Sequence, residues 1–330
     1  MRKPRSPVIG ERPCLLRITN TRGVKLKAKG SSSCGGWLFL SLAAATAACR
    51  AQELEPRSYS PNPTGVQFLA LAYSRSTGGV LLDPSVPLTD VEARMNAGVV
   101  GYGHTFGLFG RSAIASLALP YVWGDVSGAI GEEQREVSRS GLADVRVRLG
   151  MNLIGGPALS APEFARRQPK PTLGVSLTAV APSGQYDPQK LINIGSNRWS
   201  LKPELGLSYP YGHWYFEGYA GVWLFTENEE FFGGSPRKQD SITSLQAHVV
   251  YTFRPQLWLA FDANYYRGGA TTTNGVRDAD LQSNTRVGLT VSLPAGTKQS
   301  VKLSWSNGVA TRLGSDFSTL GVTWQYTWFD

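Results

Sequence analysis

Cysteine is scarce in this chain, and its position excludes several kinds of chemistry. All three cysteines fall within the first 51 residues, at Cys14, Cys34 and Cys49. The rest of the chain can therefore form no disulfide, offer no thiol nucleophile and bind no metal through thiolates. Histidine is scarce too, and no two of the three are close in sequence: His104, His213 and His248. Without clustered ligands, the sequence predicts no metal site and no cofactor.

Long apolar runs are also missing. After residue 51 no segment approaches 18 uninterrupted apolar residues, which excludes a bundle of membrane-spanning helices. The apolar run at 36–48 is too short to cross a membrane as a helix, which needs roughly 20 residues. A basic stretch precedes this run and small residues follow it, which is the order of a secretory signal. We therefore predict a signal segment over 1–51, cleaved after Ala51.

Two features of this segment leave alternatives open. Its basic region is unusually long for a signal, so Val24 is an alternative translation start to Met1. Cys49 follows Thr46-Ala47-Ala48 and could carry a lipid, although the branched aliphatic residue usual at that site is absent. Export without a helical anchor directs the chain to the periplasm, the outer membrane or the exterior.

The excess of positive charge is confined to the same segment. Residues 1–51 contain ten Lys or Arg and one acidic residue, whereas the rest of the chain has 23 basic and 23 acidic residues. A protein that binds nucleic acid keeps a basic surface on its folded part, because it must neutralise phosphates there. The charge distribution therefore predicts no nucleic-acid partner.

From Thr64 onward the dominant period of the sequence is two. In 91–99, for example, one face collects Val, Ala, Met, Ala and Val, and the other collects Glu, Arg, Asn and Gly. Such alternation is typical of strands that separate an apolar surface from a polar one. We predict twelve strands, at 64–74, 89–103, 111–124, 141–154, 171–182, 198–209, 213–226, 241–254, 256–267, 281–294, 299–308 and 316–329.

The number and length of these strands predict an all-β fold. Each is about as long as a tilted transmembrane strand, which needs roughly 9–11 residues, and twelve is even, as bacterial single-chain barrels require. Only a closed ring hides the backbone groups of such strands from lipid. We therefore predict a membrane-spanning antiparallel up-and-down β-barrel over 64–330, preceded by a short periplasmic segment at 52–63.

The links between the predicted strands alternate in length. They are short after strands 2, 6, 8 and 10, and longer, polar and rich in Gly, Pro, Asn and Asp after most odd-numbered strands. Short periplasmic turns and longer extracellular loops follow if both termini lie in the periplasm. Two links break the rule: 155–170 is long where a turn is expected, and 309–315 is a short outer loop.

Aromatic residues gather near the predicted strand ends. Tyr and Trp favour a membrane interface because each ring has an apolar body and a polar edge. The alternative is aromatic packing in the core of a soluble β-sandwich. The last strand is rich in aromatic residues, which favours a membrane barrel, because the barrel-assembly machinery recognises a last strand of this kind. Asp330 stands where such strands usually have a terminal aromatic residue. The predicted interface residues are Tyr121, Trp123, Trp199, Tyr209, Trp214, Tyr251, Tyr265, Trp324 and Trp328.

Four segments in the middle of the chain resemble a known family. They read SGLADVRVRLG (140–150), PTLGVSL (171–177), APSGQYDP (181–188) and NIGSNRWSLKP (193–203). This pattern is similar to the transporter family named for the meta-pathway of phenol degradation, which usually has Gly where this chain has Ala143. The resemblance covers about 64–329. It implies an outer-membrane barrel that admits hydrophobic or aromatic compounds, with lipid, lipopolysaccharide and small solutes as partners.

Charged residues on the polar face define the candidate site. A self-neutralising polar plug and a narrow pore carrying both signs of charge fit this face equally well. His248 could line the pore, but it is more readily a satisfied interior histidine. The lumen-lining candidates are Glu92, Arg94, Asp144, Arg146, Arg148, Lys202, Glu204, Glu217, His248, Asp262, Arg286 and Lys302.

The sequence leaves three interpretations of the function: an outer-membrane channel, a plugged structural or surface-interaction barrel, and an enzyme. Outer-membrane phospholipases place Ser, His and Asn on the lipid-facing wall. The nearest motif here is Ser306-Asn307-Gly308, but Ser304 occupies the position two residues earlier where a histidine would be needed. A serine nucleophile needs an adjacent base. We therefore predict no catalytic residue; a hydrolase would require Ser306 or His248.

Arg146 and Arg148 provide a first test of the lumen assignment. Two like charges on one strand face must be matched nearby or face water. The combined change Arg146→Ala and Arg148→Ala should therefore alter single-channel conductance or ion selectivity in planar bilayers. If neither quantity changes, these arginines do not line a conducting lumen.

Overall fold

The computed structural model describes residues 54–81, 89–130 and 133–330. The predicted signal segment, its cleavage site, the two candidate starts and all three cysteines lie outside these residues. Within the described residues, no helix is long and apolar enough to cross a membrane. In these described ranges the one helix is α1 (Ala161–Ala165). The strands are β1 (Val66–Leu81), β2 (Thr89–Leu108), β3 (Arg111–Ile130), β4 (Glu133–Leu142), β5 (Arg146–Ile154), β6 (Thr172–Val180), β7 (Ser200–Tyr211), β8 (Trp214–Phe225), β9 (Asn228–Phe231), β10 (Ser235–Gln239), β11 (Ile242–Arg254), β12 (Leu257–Gly268), β13 (Thr271–Thr273), β14 (Val276–Arg277), β15 (Gln282–Pro294), β16 (Gln299–Thr311) and β17 (Gly314–Phe329).

Antiparallel pairing closes the strands into a barrel. Each wall strand pairs with its neighbours in chain order, and β1 pairs with both β2 and β17, so the first and last strands seal the ring. β4 and β5 both pair with β3, along its two halves, and together form one interrupted wall strand. The wall therefore has twelve strands, and the predicted antiparallel up-and-down barrel is confirmed.

The barrel has an apolar outside and a polar inside. On β11, Ser244, Gln246 and His248 are buried, whereas Leu245 and Val249, at alternate positions, are 46% and 38% exposed. A water-soluble protein would bury the leucine and valine instead. This reversal of polarity is what a lipid exterior and an enclosed polar lumen require.

The two ends of the barrel differ in their connections. At one end, here called the turn end, β2–β3, β7–β8, β11–β12 and β15–β16 are joined by short turns. Phe109 and Gly110, which join β2 to β3, have φ angles of 50° and 73°, as a type I′ hairpin turn requires. The opposite end, the loop end, carries the long links, as predicted.

Four short strands at the loop end lie in links that the sequence analysis left as loops. β9, β10, β13 and β14 form a separate four-stranded antiparallel sheet above the wall. These strands have two to five residues each, too few to show a period in the sequence.

The β3–β4 link also differs from the prediction. β3 continues to Ile130 and β4 begins at Glu133, so most of the predicted loop 125–140 is a hairpin extension. With 20 residues each, β2 and β3 are about twice as long as a bilayer needs. The residues at 133–136 are all exposed, which fits a hairpin that projects into water.

The two exceptional links have structural explanations. The long link 155–171 at the turn end contains α1, whose first turn is closed by a capping box between Ser160 and Glu163. The short outer link arises because β16 and β17 extend to Thr311 and Gly314, which leaves only Arg312 and Leu313 between them.

The predicted interface aromatics lie on the outward face. Trp199 and Tyr209 are about half exposed, at 49% and 50%, and Trp214 and Tyr251 pack edge to face with their ring centres 4.8 Å apart. Trp324 and Trp328 alternate with Thr323 and Gln325, which are buried on the inner side. Their contact with an interface stays a prediction.

Candidate functional site

Residues 54–63, here called the lumen segment, enter the barrel at its turn end. Gly65 N donates to Thr105 O at 2.8 Å and Ser112 Oγ donates to Asn62 O at 2.9 Å. Thr64 N donates to Leu159 O of the α1 link, also at 2.8 Å, which explains why that link is long. The sequence predicts a periplasmic segment at 52–63, apart from the barrel, whereas the structure places 54–63 against the lumen side chains.

Tyr59 fixes the lumen segment against β6 and β7. Its hydroxyl lies 2.8 Å from Ser176 Oγ and donates to Glu204 Oε1 at 3.0 Å. Its ring lies over Gly174 and Gly206, where a Cβ atom would overlap it, and packs edge to face on Tyr219 at 4.9 Å. Glycine at these two inward positions therefore makes the space that the ring fills.

Arg57 fixes the segment against the next strands of the wall, β8 and β11. Its backbone N–H donates to Glu217 Oε2 at 2.6 Å and its guanidinium donates to Thr252 Oγ1 at 3.2 Å. The guanidinium also lies 4.4 Å from the centre of the Tyr215 ring. Hydrogen bonds to a charged group contribute about 1.5–3 kcal/mol each. Glu217 is thus a main anchor of the segment.

Two carboxylates of the lumen wall have basic partners. Lys202 Nζ lies 2.6 Å from Glu204 Oε2, and both side chains are almost completely buried. His248 Nδ1 lies 2.7 Å from Asp262 Oδ1, and Thr290 Oγ1 donates to Asp262 Oδ2 at 2.7 Å. Buried charges must be paired and hydrogen-bonded to be tolerated. The sequence leaves a self-neutralising plug and a pore open as alternatives, and these two pairs are contacts of the kind that a plug requires.

Nine of the twelve lumen candidates lie on the inner side of the wall. Arg146 and Arg148 contact rings there, with guanidinium carbons 5.9 Å from the Trp223 ring centre and 5.2 Å from that of Tyr59. Most of the other inward candidates contact the lumen segment or lie next to residues that contact it. The nine are Arg146, Arg148, Lys202, Glu204, Glu217, His248, Asp262, Arg286 and Lys302.

Glu92 and Arg94 lie on the outer side, which corrects their prediction as lumen residues. Both are exposed, whereas Ala93 and Ala97 on the alternate positions are buried. Arg94 pairs in register with Asp125 of β3, in the part of the β2–β3 hairpin that nears the loop end. Where a hairpin projects into water, its outer face is polar. The alternation of apolar and polar residues in the sequence therefore cannot show which face of such a strand points into the barrel.

Asp144 anchors a loop and does not lie on a regular wall strand. It falls at the break between β4 and β5, where its carboxylate accepts from Gly184 N at 2.9 Å and from Ser196 N at 3.0 Å. Ser196 Oγ donates to the same carboxylate at 2.5 Å. Asp144 therefore pins the β6–β7 loop to the wall at the point where β4 leaves it.

Two of the cavities formed by the described residues bear on passage through the barrel. The smaller, about 50 Å³, separates Leu54 and Glu55 from the inner faces of β1, β2 and β15–β17. A water molecule occupies about 30 Å³ of liquid volume, so this gap is too small for an organic solute. The larger cavity, about 430 Å³, lies at the loop end and is here called the vestibule.

The residues proposed for hydrolysis have other partners. Ser306 Oγ accepts from Arg286 at 3.0 Å, and His248 pairs with Asp262. Within the described ranges, no group of three His, Cys, Asp or Glu residues is arranged to hold a metal ion.

The lumen segment is the functional element that sequence reasoning missed. Its ten residues contain no alternating pattern, and the contacts of Arg57 and Tyr59 reach residues 117–195 positions away. Two features of the sequence point to the lumen segment indirectly: glycine at the inward positions 174 and 206, and an unusually long link at 155–170.

Comparison with known proteins gives a family and a shared fold. The family described as "Putative MetA-pathway of phenol degradation" matches residues 75–326. The COG4313 outer membrane channel from Pseudomonas putida F1 is similar at 20% identity and a TM-score of 0.70, over 84% of this chain and 100% of that chain. No curated protein matches.

Two further structures are similar at lower TM-scores. The beta domain of the Bordetella autotransporter Brka is 11% identical with a TM-score of 0.48, over 80% of this chain and 100% of that chain. The TodX monoaromatic hydrocarbon channel deltaS2 mutant is 11% identical with a TM-score of 0.46, over 81% and 91%.

The anchoring of the lumen segment can be tested by conductance. Arg57→Ala with Tyr59→Ala removes the side-chain hydrogen bonds of the segment to β6, β7 and β11, so the segment should leave its position more often. We expect a larger single-channel conductance, or more frequent openings, than in wild type. The matched control is Arg254→Ala with Tyr211→Ala, which removes the same residue types at exposed turn-end positions. Equal conductance in all three proteins would contradict a closing role for the segment.

Proposed function

The chain belongs to the family described as the MetA-pathway of phenol degradation, and we propose that it is a passive channel for small hydrophobic or aromatic molecules in a Gram-negative outer membrane. The observation that carries this proposal is a closed barrel, apolar outside and polar inside, whose loop end opens into a cavity of about 430 Å³. A cavity of this size is within the usual range of small-molecule sites, roughly 300–1,000 Å³. The similar Pseudomonas putida structure is named an outer membrane channel, and the proposal extends that role to this chain.

A solute would enter at the vestibule and leave at the turn end, past the lumen segment. Beside Leu54 and Glu55 the lumen segment leaves a gap of only about 50 Å³. Passage therefore requires the segment to shift, and the bonds of Arg57 to Glu217 and of Tyr59 to Glu204 oppose that shift. We assign the segment the role of a gate and assign no catalytic role to any residue.

A plugged barrel without conduction is the second candidate function. The lumen segment favours it, because the wall strands near the segment carry a buried ion pair, Lys202 with Glu204, and a buried hydrogen-bonded pair, His248 with Asp262. In that case the loops at the loop end would bind partners and the wall would only anchor them.

Conductance and uptake distinguish the two functions. The full chain and a variant lacking 54–62 would be recorded in planar bilayers, and both would be expressed in Gram-negative cells for uptake of radiolabelled phenol. We expect wild-type conductance and uptake above the vector control, and higher values for the variant because its exit is open. Background values for both proteins would establish the plugged barrel.

Export and assembly follow from the proposed location. We propose that residues 1–51 are a signal removed after Ala51, that the aromatic strand β17 is read by the barrel-assembly machinery, and that the outward face contacts lipid and lipopolysaccharide. The mature chain isolated from outer membranes should begin at Gln52. Intact mass measurement checks this, and a mass that includes residues 1–51 would contradict cleavage.

A further inference from the structure

The links at the turn end carry a net positive charge. Counted with the strand residue on each side, they contain six Lys or Arg and one acidic residue, Glu163, and Asp330 follows the last strand. Hydrogen bonds from the hydroxyl and the backbone N–H of Ser160 hold the pKa of Glu163 below its usual range, so it remains an ionised cap of α1. Asp330 accepts from Gln67 and lies 3.1 Å from His104 Nε2. The six basic residues are Arg111, Arg166, Arg167, Lys170, Arg254 and Lys298.

These six residues have no carboxylate partner within ion-pair distance among the residues that the structure describes. Arg167 donates to Gly155 O and is partly buried. The other five are exposed and are here called the turn-end cations: Arg111, Arg166, Lys170, Arg254 and Lys298. Their charge must be balanced from outside the chain.

The loop end is different, because five of its Lys or Arg side chains form ion pairs with carboxylates. The pairs are Arg135 with Glu133, Lys190 with Asp187, Arg237 with Asp280, Lys238 with Glu227 and Arg277 with Asp240. Unmatched positive charge is therefore a property of the turn end and does not follow from a general excess of basic residues in the barrel.

The turn-end cations begin where the apolar outer face of the wall ends. Phe253, which is 54% exposed, directly precedes Arg254 at the end of β11. Leu293 is the last exposed leucine of β15, and Lys298 lies in the turn that follows it. A cation that borders such a face lies at the depth of the lipid headgroups, and its aliphatic stem can cover the last apolar residues.

The β5–β6 link repeats this order on the other side of the barrel. Ile154, the last residue of β5, is 60% exposed. Pro157 in the link that follows pairs with Arg111 across an isolated bridge. The same link carries Arg166 and Lys170, so three cations belong to one connected part of the turn end.

We propose that the turn end binds anionic glycerophospholipids of the leaflet around it, with their phosphates on the turn-end cations and their acyl chains on the adjoining apolar face. Basic residues next to a membrane are attracted to anionic headgroups. The guanidinium groups of Arg111 and Arg254 can also bind a phosphate through two parallel hydrogen bonds. This inference rests on the proposed function for the membrane location of the barrel.

Native mass spectrometry of the chain isolated in detergent tests the inference. Dioleoyl phosphatidylglycerol is the probe, and dioleoyl phosphatidylcholine is the control, because it has the same acyl chains and its phosphate is balanced by choline. We expect phosphatidylglycerol to bind about tenfold more tightly or better. Equal binding of the two lipids would overturn the inference. Inorganic phosphate at the same concentration should not displace phosphatidylglycerol, and displacement would reduce the surface to a simple anion site and overturn the lipid assignment.

Substitutions at the two ends of the barrel localise the binding. Arg111→Gln combined with Arg254→Gln and Lys298→Gln removes three turn-end cations and should abolish the preference for phosphatidylglycerol. The matched control removes two exposed arginines and one exposed lysine from the loop end: Arg135→Gln, Arg277→Gln and Lys238→Gln. It should keep the preference, and equal losses in both variants would contradict a site at the turn end. Circular dichroism checks that each variant keeps the β-barrel.

Failure of this inference is distinguishable from failure of the proposed function. Lipid binding is measured without a solute, and conductance and phenol uptake are measured without a titrated lipid. Conductance and uptake without a preference for phosphatidylglycerol would leave the channel standing and remove the lipid site. The preference without conductance or uptake would keep the lipid site and overturn the channel.

Discussion

The closure of the β-sheet is the constraint on which the rest of this structure depends. Backbone N–H and C=O groups have no partner in hydrocarbon, so a sheet in a membrane must pair every strand on both sides. β1 meets this condition by pairing with β17 across its whole length. Closure in turn divides the side chains into two sets, because alternate residues of each strand point to opposite faces. Leu245 and Val249 therefore face outward while Gln246 and His248 face a lumen that water does not fill freely.

Closure of the sheet also encloses charged side chains in the lumen, and enclosed charges need partners. The protein meets this need partly within the wall, as with Lys202 and Glu204, and partly with residues that precede the first strand. The lumen segment brings Tyr59 to Glu204 and the Arg57 backbone to Glu217, so it satisfies wall carboxylates and fills the space between them. These bonds join the segment to the wall and are separate from the strand-to-strand bonds that close the ring.

The two ends of the barrel differ in the length of their connections, and therefore in the structures that those connections form. Short turns at one end leave little besides the α1 link, which holds the base of the lumen segment through Leu159. The long links at the other end have enough residues to build a small sheet and a loop anchored by Asp144. The interruption between β4 and β5 belongs to this arrangement, because it frees Asp144 to bind the β6–β7 loop.

Local patterns in the chain were enough to predict the wall strands, their number and their up-and-down order, because the period of two and the turn residues are properties that each segment carries. It also determined most of the lumen candidates, including Glu217 and Asp262. Tertiary structure alone decided which face of β2 lies inside, and there Glu92 and Arg94 lie opposite to expectation. It also decided that 54–63 occupies the lumen. These outcomes depend on contacts between residues that are remote in the chain, and such contacts exist only after the ring has closed with one particular register.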